Sequence, residues 1–391
     1  MCAMAEASDA HGLLEPGQII RPMLKKADVP ALVAKVYGLS VVSVKELNSY
    51  DDKNYLIQVQ SKINNTHMTD LCPHGYVVKV TNSLDSKNTN LIAAQNEMML
   101  FLHSRGINVP KPEKNVHGTY MMREKLKVDM DDFVKNNTDE CPSGEYMVRM
   151  LTFVPGKILH QVKYTSQLFF ECGELAAKMD NELMEFNNEH LKGRKLIWML
   201  ENTPDLTKFI FAVRDESRYK MITEILDAWN QRVVPLLPTL DRGMIHGDFN
   251  EQNIIVDATA PEHPDEYHVS AIIDFGDIQE SCYVFEVAIT IMYLMIEVDE
   301  MPPNDAGGHV LAGYLKHRAL SEVEWSVLRE CVAARFAQSL VMGAYSYEQD
   351  PGNEYLLTTA RRGWDVLATF WSAPKEQVLA RWREIIRSYE K

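Results

Sequence analysis

The sequence lacks the features that mark secreted, zinc-clustered or membrane-spanning chains. Its six cysteines are widely spaced and include no CxxC pair, which disfavours a disulfide framework or a zinc site. We therefore predict reduced thiols in a cytoplasmic protein. The longest apolar run, residues 287–296, is about half the length that a membrane span needs and predicts a buried helix. Residues 1–18 contain no apolar core of the kind that signal peptides require.

Positive charge is also in short supply. The chain has 40 Lys and Arg against 55 Asp and Glu, for a formal net charge of −15. Residues 1–152 carry 17 basic and 18 acidic side chains, whereas residues 153–391 carry 23 and 37. Nucleic acids and anionic membranes favour basic surfaces, so neither is an expected partner, and no protein partner is evident. The acidic C-terminal part would attract a small cationic molecule, although solubility alone also explains its charge.

The length and the order of the predicted elements indicate two lobes. A chain of 391 residues is too long for one ordinary domain. Residues 1–27 predict a flexible tail, residues 28–152 a small lobe of mixed strands and helices, and residues 153–391 a larger, mainly helical lobe. The fold class is therefore α+β, with a boundary near the Pro155–Gly156 pair.

Several elements follow from local patterns. Asp28 could cap a helix that ends at Gly38, and Ser321 with Glu324 predicts a capping box. Apolar periodicity predicts strands at 41–47, 54–60, 76–80 and within 145–156, and helices at 87–105, at 166–187 and throughout the chain after 283.

The sharpest chemical signal is HGDFNEQN at 246–253, followed 21 residues after Asn253 by DFG at 274–276. Phosphoryl transfer needs a carboxylate beside the acceptor hydroxyl and hard oxygen ligands for Mg²⁺. Asp248 is the candidate catalytic residue, while Asn253 and Asp274 are the candidate metal ligands. His246 is expected to be structural. In order and spacing, the two motifs resemble the catalytic and metal-binding loops of the kinase superfamily, which implies a two-lobed, protein-kinase-like fold.

That resemblance implies a nucleotide-binding role for Lys79 in the strand YVVKV, although a solvent-facing strand lysine is the ordinary alternative. Gln95 stands where kinases usually carry the Glu that forms an ion pair with this lysine. We therefore expect a hydrogen bond between Gln95 and Lys79 in place of that ion pair. Glu97 lies about 200° further around the helix and is as well explained as a surface charge. The segment SYDDKNY at 49–55 has no Gly, and Asp51 and Asp52 would repel phosphate unless they point away.

From about residue 28 to 390 the chain resembles the aminoglycoside phosphotransferase family, on the motifs SYDDKNY, AQNEMMLFL, RMLTFVPG, HGDFNEQNI and IIDFGD. Within that family the motifs imply transfer from GTP, with ATP as the alternative donor, to the side-chain hydroxyl of 5-hydroxy-L-lysine in lysine and collagen catabolism. Glu286 would then be a structural acid, and Arg335 a candidate for the substrate carboxylate.

The residues alone leave other functions open. Homoserine, methylthioribose, choline or an aminoglycoside could be the acceptor of the same fold. A nucleotide-binding pseudokinase that acts as a scaffold is a further alternative, although the complete set of Asp248, Asn253 and Asp274 argues against it.

Overall fold

A computed structural model of the chain describes residues 20–49, 52–128, 143–260, 262–349 and 359–390. Most of the predicted tail, residues 1–19, lies outside these ranges, as does Asp51. Residues 20–27, which we also assigned to the tail, are instead part of the fold. Pro22–Met23 pairs with a strand of the main sheet, and the side chains of Ile20 and Leu24 are buried.

The smaller lobe is built on a six-stranded antiparallel sheet. Its strands are β1 (Pro22–Met23), β2 (Leu39–Leu47), β3 (Lys53–Ile63), β4 (Tyr76–Val80), β5 (Met122–Val128) and β6 (Ser143–Thr152). They lie in the order β1-β5-β6-β4-β3-β2. The predicted strands at 41–47, 54–60 and 76–80 are confirmed.

Two helices accompany this sheet. Helix α1 (Val29–Tyr37) ends at Gly38, whose φ of +66° is the left-handed conformation that favours glycine. The predicted cap by Asp28 is wrong, because this residue ends a short 3₁₀ turn and makes no capping hydrogen bond. Helix α2 (Thr89–Ser104) is capped by the side chain of Asn88, which accepts a hydrogen bond from Leu91 N at 3.0 Å.

The alternation of side chains along β4 decides on which face of the sheet Lys79 lies. Val78 and Val80 are fully buried in the core that the sheet forms with Val33 of α1. Since successive strand residues face opposite sides, Lys79 lies on the other face of the sheet. The partner of Lys79 on β6 is Arg149, so two cations stand side by side on that face.

The larger lobe is mainly helical. Its helices are α3 (Ser166–Leu183), α4 (Glu216–Ala228), α5 (Tyr283–Glu297), α6 (Pro303–Leu315), α7 (Glu322–Gln349), α8 (Ala360–Ser372) and α9 (Lys375–Ser388). Helix α5 is buried along almost its whole length, which confirms the prediction for residues 287–296. Among the described residues, no helix is long and apolar enough to cross a membrane. The predicted capping box is confirmed, because Ser321 N donates to Glu324 Oε2 at 2.8 Å and Glu324 N to Ser321 Oγ at 3.3 Å.

Five short strands position the two sequence motifs. They are β7 (Lys157–Ile158), β8 (Arg242–Ile245), β9 (Ile254–Ala260), β10 (His263–Ile272) and β11 (Gln279–Cys282). Residues 246–253 connect β8 to β9, and residues 273–278 connect β10 to β11. Ile245 pairs with Gln279, and Ile254 pairs with Ile272. Strand pairing therefore holds the two loops next to each other at both ends.

Candidate active site

The candidate catalytic loop, residues 246–253, is held by Glu286 on α5. The Glu286 carboxylate accepts hydrogen bonds from the backbone N–H groups of His246 and Gly247, both at 2.9 Å. Burial raises the pKa of Glu286 to about 7, against these two hydrogen bonds, which favour the charged form. Gly247 has a φ of +79°, and a Cβ there would lie 2.5 Å from Gln279 Nε2. The predicted structural role of Glu286 is confirmed.

His246 supports the neighbouring loop. Its ring is fully buried, and Nε2 lies 3.1 Å from the carbonyl oxygen of Ile273. Burial lowers its pKa below the ordinary value. A buried neutral imidazole bonded to backbone agrees with the structural role expected of His246.

Both carboxylate oxygens of Asp248 have partners. Arg335 Nη2 donates to Oδ1 at 2.9 Å, and Asn253 Nδ2 donates to Oδ2 at 2.9 Å. The Arg335 side chain is only 1% exposed, and it also donates to the Trp198 carbonyl at 2.9 Å and to the Tyr293 hydroxyl at 3.2 Å. Asp248 is thus held in one orientation at the edge of a cleft, with its side chain 25% exposed.

This geometry changes the interpretation of Arg335. The sequence suggested it as a receptor for a substrate carboxylate, and it does line the cleft. Its charge is directed at Asp248, however. Burial works to lower the pKa of Arg335, but Tyr293 and Asp248 outweigh burial and raise this pKa above the ordinary value. Arg335 therefore orients the candidate catalytic carboxylate.

The candidate metal ligands lie in the two loops that strand pairing holds together. Ile273 N donates to the carbonyl oxygen of Asn253 at 2.9 Å, which brings Asn253 next to the residue before Asp274. Asn253 uses its amide N–H₂ on Asp248, and its side-chain oxygen accepts no hydrogen bond among the described contacts. Asp274 Oδ1 accepts from Lys79 Nζ at 2.8 Å and from Gly276 N at 3.2 Å, and its second oxygen has no hydrogen bond within the described chain.

These oxygens suit a hard divalent cation. Amide and carboxylate oxygens are the ligands that Mg²⁺ prefers, so the donor set fits that ion. Although removal from bulk water works to raise it, the pKa of Asp274 is held at about 2 by Lys79. Asp274 has a φ of +63°, which is uncommon for a residue with a side chain and is a strain that functional sites often retain.

Lys79 lies between two carboxylates. Its Nζ is 2.8 Å from Asp274 Oδ1 and 3.1 Å from Asp52 Oδ2, and its side chain is 8% exposed. Burial works to lower the pKa of Lys79, but Asp274 and Asp52 together raise it above its ordinary value. Asp52 therefore points toward Lys79, the candidate phosphate-binding residue, and not away from it. The backbone and side-chain nitrogens of Asn82 hold its other oxygen at 2.8 and 3.1 Å.

The expected hydrogen bond between Gln95 and Lys79 is absent from the described contacts. Gln95 Nε2 instead donates to the carbonyl oxygen of Gly276 at 3.1 Å. Glu97 is exposed and accepts a hydrogen bond from Asn188 Nδ2 at 2.7 Å, so it is the surface charge of the alternative interpretation. Gln95 thus contacts the candidate metal-binding loop, whereas Asp52 takes the position of acidic partner to Lys79.

Sequence reasoning missed Arg194. Its Nη1 donates to the carbonyl oxygens of Gly276 and Ile278 at 2.7 and 2.9 Å, and its Nη2 lies 3.9 Å from Asp85 of the smaller lobe. Gly276 O is therefore held from one lobe by Gln95 and from the other by Arg194. Nothing in the segment KGRKLIW indicated this, because the contact spans more than 80 residues.

The cleft between the lobes has a volume of ≈ 310 Å³. Lys79, Asp52 and Asn82 line it from the smaller lobe, and Asp248, Asp277 and Glu251 line it from the larger lobe. Burial and the nearby Asp248 raise the pKa of Asp277 to about 7. Burial and the nearby Glu297 raise the pKa of Glu251 to about 8. Glu251 lies inside the HGDFNEQN motif and Asp277 directly follows DFG, so both acids could have been noticed in the sequence.

With this geometry established, comparison with known proteins defines the class. Residues 63–320 match the phosphotransferase enzyme family, APH, and the chain belongs to this family. It is a phosphotransferase, as the two motifs predicted. Kinases of this kind use a nucleotide donor and a divalent metal.

Among characterised proteins, the chain is similar to hydroxylysine kinases. It is 36% identical over 376 residues to that of Xenopus laevis, with 94% of this chain and 96% of the relative covered. It is 34% identical over 377 residues to that of Mus musculus, with 95% of each covered. The resemblance found in the motifs thus extends over nearly the whole chain.

Solved structures share the fold at low sequence identity. An amicoumacin kinase, hAmiN, matches with a TM-score of 0.61 at 16% identity, covering 91% of this chain and 97% of that one. A microcompartment-associated aminopropanol kinase matches with a TM-score of 0.59 at 16% identity, covering 88% and 95%. The predicted two-lobed fold, a smaller α+β lobe with a mainly helical larger lobe, is confirmed.

Proposed function

We propose that this chain transfers the γ-phosphoryl group of GTP to the side-chain hydroxyl of 5-hydroxy-L-lysine with Mg²⁺. The proposal is carried by the geometry of Asp248, a carboxylate fixed by Arg335 and Asn253 at the edge of a cleft that also holds Lys79 and Asp274. The acceptor follows from the hydroxylysine kinases, whose similarity covers nearly all of both chains. The cytoplasm and the catabolism of lysine and collagen are the setting that we propose.

In the proposed reaction, the acceptor hydroxyl lies against Asp248, which orients it and accepts its proton. Lys79 binds the phosphates from the smaller lobe, within reach of Asp274. Asn253 and Asp274 would hold the magnesium ion, which supplies charge neutralisation for the phosphates when it is bound. The protein itself contributes position and fixed charge, which are the main sources of catalysis in phosphoryl transfer.

Each lobe has its own role in the proposed reaction. We propose that residues 28–152 form the nucleotide-binding lobe and that residues 153–391 form the catalytic and substrate-binding lobe. The acidic side chains of the larger lobe favour a dicationic amino acid over a neutral acceptor.

The test is release of nucleoside diphosphate from GTP or ATP with Mg²⁺ and a panel of acceptors: 5-hydroxy-L-lysine, L-lysine, homoserine, choline and kanamycin. Asp248→Ala serves as the blank. We expect GDP release that requires 5-hydroxy-L-lysine and fails with L-lysine, which lacks only the reacting hydroxyl. Activity on another acceptor alone would contradict the proposed substrate, and nucleotide binding without any turnover would indicate a pseudokinase.

A further inference from the structure

Three side chains from separate elements meet behind the catalytic loop. They are Glu251 on that loop, Glu297 at the end of α5, and His160 in a single 3₁₀ turn, Leu159–Gln161. One oxygen or nitrogen atom of each lies within 4.8 Å of the others. His160 Nδ1 is 3.1 Å from Glu297 Oε2, and His160 N donates to the carbonyl oxygen of Glu251 at 3.1 Å. We call these three residues the Glu251 cluster.

The cluster contains an unsatisfied acid. Glu251 is only 6% exposed, and its Oε2 has no hydrogen-bond partner among the described residues. Its Oε1 accepts only a long hydrogen bond from Gln252 Nε2, at 3.3 Å. Within the described part of the chain, neither Glu251 nor Glu297 forms an ion pair with a Lys or Arg side chain. Glu251 is thus a buried carboxylate beside Glu297, whose side chain is 17% exposed and contacts His160. A buried carboxylate next to a second acid is costly, and a bound cation would relieve that cost.

The cluster adjoins the acceptor end of the cleft. Glu251 lines this cleft together with Asp248 and Tyr293. Tyr293 and Glu297 lie four residues apart on α5, so they share a face and are separated by about 6 Å along the helix axis. The Tyr293 hydroxyl contacts the Arg335 guanidinium that holds Asp248. Glu251 follows Asp248 by three residues on the same loop and lines the same cleft, so the cluster borders the cleft in which the reacting hydroxyl would lie.

The proposed acceptor carries its α-amine some distance from the reacting hydroxyl. In 5-hydroxy-L-lysine the side-chain oxygen and the α-nitrogen are separated by a chain of single bonds that spans about 6 Å when extended. We propose that Glu251, supported by Glu297 and His160, forms the subsite for the α-ammonium group of the acceptor. This subsite rests on the proposed function and gives the substrate amine a named receptor. An ammonium group has three N–H donors, which suit the free oxygen of Glu251 and the carboxylate of Glu297.

Binding measurements test this subsite without requiring turnover. Isothermal titration calorimetry would compare L-lysine with 6-aminohexanoate, which lacks only the α-amine, on the wild-type protein, on Glu251→Gln and on a control, Glu262→Gln, at an exposed site. We expect the wild type to prefer L-lysine by about 10- to 100-fold. Glu251→Gln should lose that preference by weakening L-lysine alone, whereas the control should keep it.

Kinetics provide the matched readout with 5-hydroxy-L-lysine and 6-amino-5-hydroxyhexanoate. Glu251→Gln should lower kcat/KM for the first substrate and leave the second within about twofold, with Glu297→Gln showing a smaller effect of the same sign. An equal loss on both substrates would indicate a merely structural Glu251 and overturn the proposal. So would an undiminished preference for the α-amine, or an absence of L-lysine binding to the wild type.

A metal ion is the competing occupant. Mn²⁺ alone would be titrated against the wild type, His160→Ala and Asp274→Asn, with thermal stabilisation as the readout. Stabilisation that His160→Ala removes and Asp274→Asn retains would assign the cluster to a metal and overturn the ammonium subsite. If the amine preference depends on Glu251 but the enzyme turns over neither hydroxylated acceptor, the subsite stands and the proposed reaction fails.

Discussion

The two sides of the cleft are built in different ways. Asp248 is held by Arg335 and Asn253, and its loop by Glu286, all from the larger lobe. Lys79, by contrast, reaches across to Asp274, 195 residues away, and is shared with Asp52 of its own lobe. The candidate catalytic carboxylate is therefore positioned by contacts within one lobe, whereas the candidate phosphate-binding lysine is positioned partly by a contact between the lobes.

This difference has a functional consequence. Changes around Asp248 should act on the rate of transfer, because the nucleotide-binding side does not depend on them. Changes around Lys79 should act on nucleotide affinity, because the phosphates must compete with Asp52 and Asp274 for the same ammonium group.

The largest effect is expected from Asp248→Asn. The amide can still accept the hydrogen bond from Arg335, but it cannot take up a proton, so kcat should fall by about 10²- to 10⁴-fold. Nucleotide affinity, measured by calorimetry, should stay within about twofold of the wild type. A variant that retains most of its kcat would show that Asp248 is not the catalytic base.

Arg335→Met should damage the same side through orientation. Loss of the guanidinium removes the hydrogen bonds from Arg335 to Asp248 Oδ1 and to the Trp198 carbonyl, so kcat should fall about 10- to 100-fold. The free energy of unfolding should drop by about 3 kcal/mol, near the lower end for a broken buried pair because Asp248 is partly exposed. Arg335→Lys should recover part of the stability while leaving kcat low. An unchanged kcat in both variants would show that Arg335 is not needed to orient Asp248 for the reaction.

A smaller effect in the other lobe is expected from Asp52→Asn. This change removes a negative charge 3.1 Å from Lys79 Nζ and leaves Lys79 more available to phosphate. Nucleotide should bind about two- to tenfold more tightly. Glu97→Gln is the control, since Glu97 contacts Asn188 at the surface. Weaker nucleotide binding by Asp52→Asn would mean that Asp52 is needed to position Lys79.

The smallest effect concerns pH. The pKa of Asp277 and that of Glu286 are both raised to about 7, so the folded chain holds these protons more tightly than the unfolded chain. Their contribution to the free energy of unfolding should therefore fall as pH rises from about 4 to 7. Asp274, with its pKa lowered to about 2, acts in the opposite sense only below that window.

Thermal unfolding of Asp277→Asn between pH 5 and 8 checks this prediction. The midpoint of the variant should change less with pH than that of the wild type, by a few degrees at most. Glu262→Gln, at an exposed site, should behave as the wild type does. An unaltered pH dependence in Asp277→Asn would show that Asp277 does not titrate in this range.

The sequence predicted the side of the site that is contiguous in the chain. Three candidate residues could be proposed because each lies in a short motif: Asp248, Asn253 and Asp274. The structure brings the two motifs together because the strands beside them pair with each other. The helices could be predicted for a similar reason, because apolar periodicity is a property of a short stretch of sequence. The assignments that depend on distant contacts were wrong or missing: Gln95 contacts Gly276 and not Lys79, and Arg335 reaches Asp248 from 87 residues away.

Asp52 teaches a related point. The loop SYDDKNY contains nothing that indicates a phosphate site, and an aspartate there suggested repulsion. Only the fold shows that Asn82 holds Asp52 against Lys79. Side-chain direction in a loop depends on its neighbours in space, and that information is absent from spacing along the chain.

The most direct test of the central claim is analysis of the phosphorylated product. The purified chain would be incubated with Mg²⁺, GTP and either 5-hydroxy-L-lysine or L-lysine, and the amino acids would be examined by mass spectrometry and ³¹P NMR. We predict one phosphate ester on the side-chain oxygen of 5-hydroxy-L-lysine for each GDP formed, and none on L-lysine. Formation of GDP without any ester, or phosphate on L-lysine, would contradict the account.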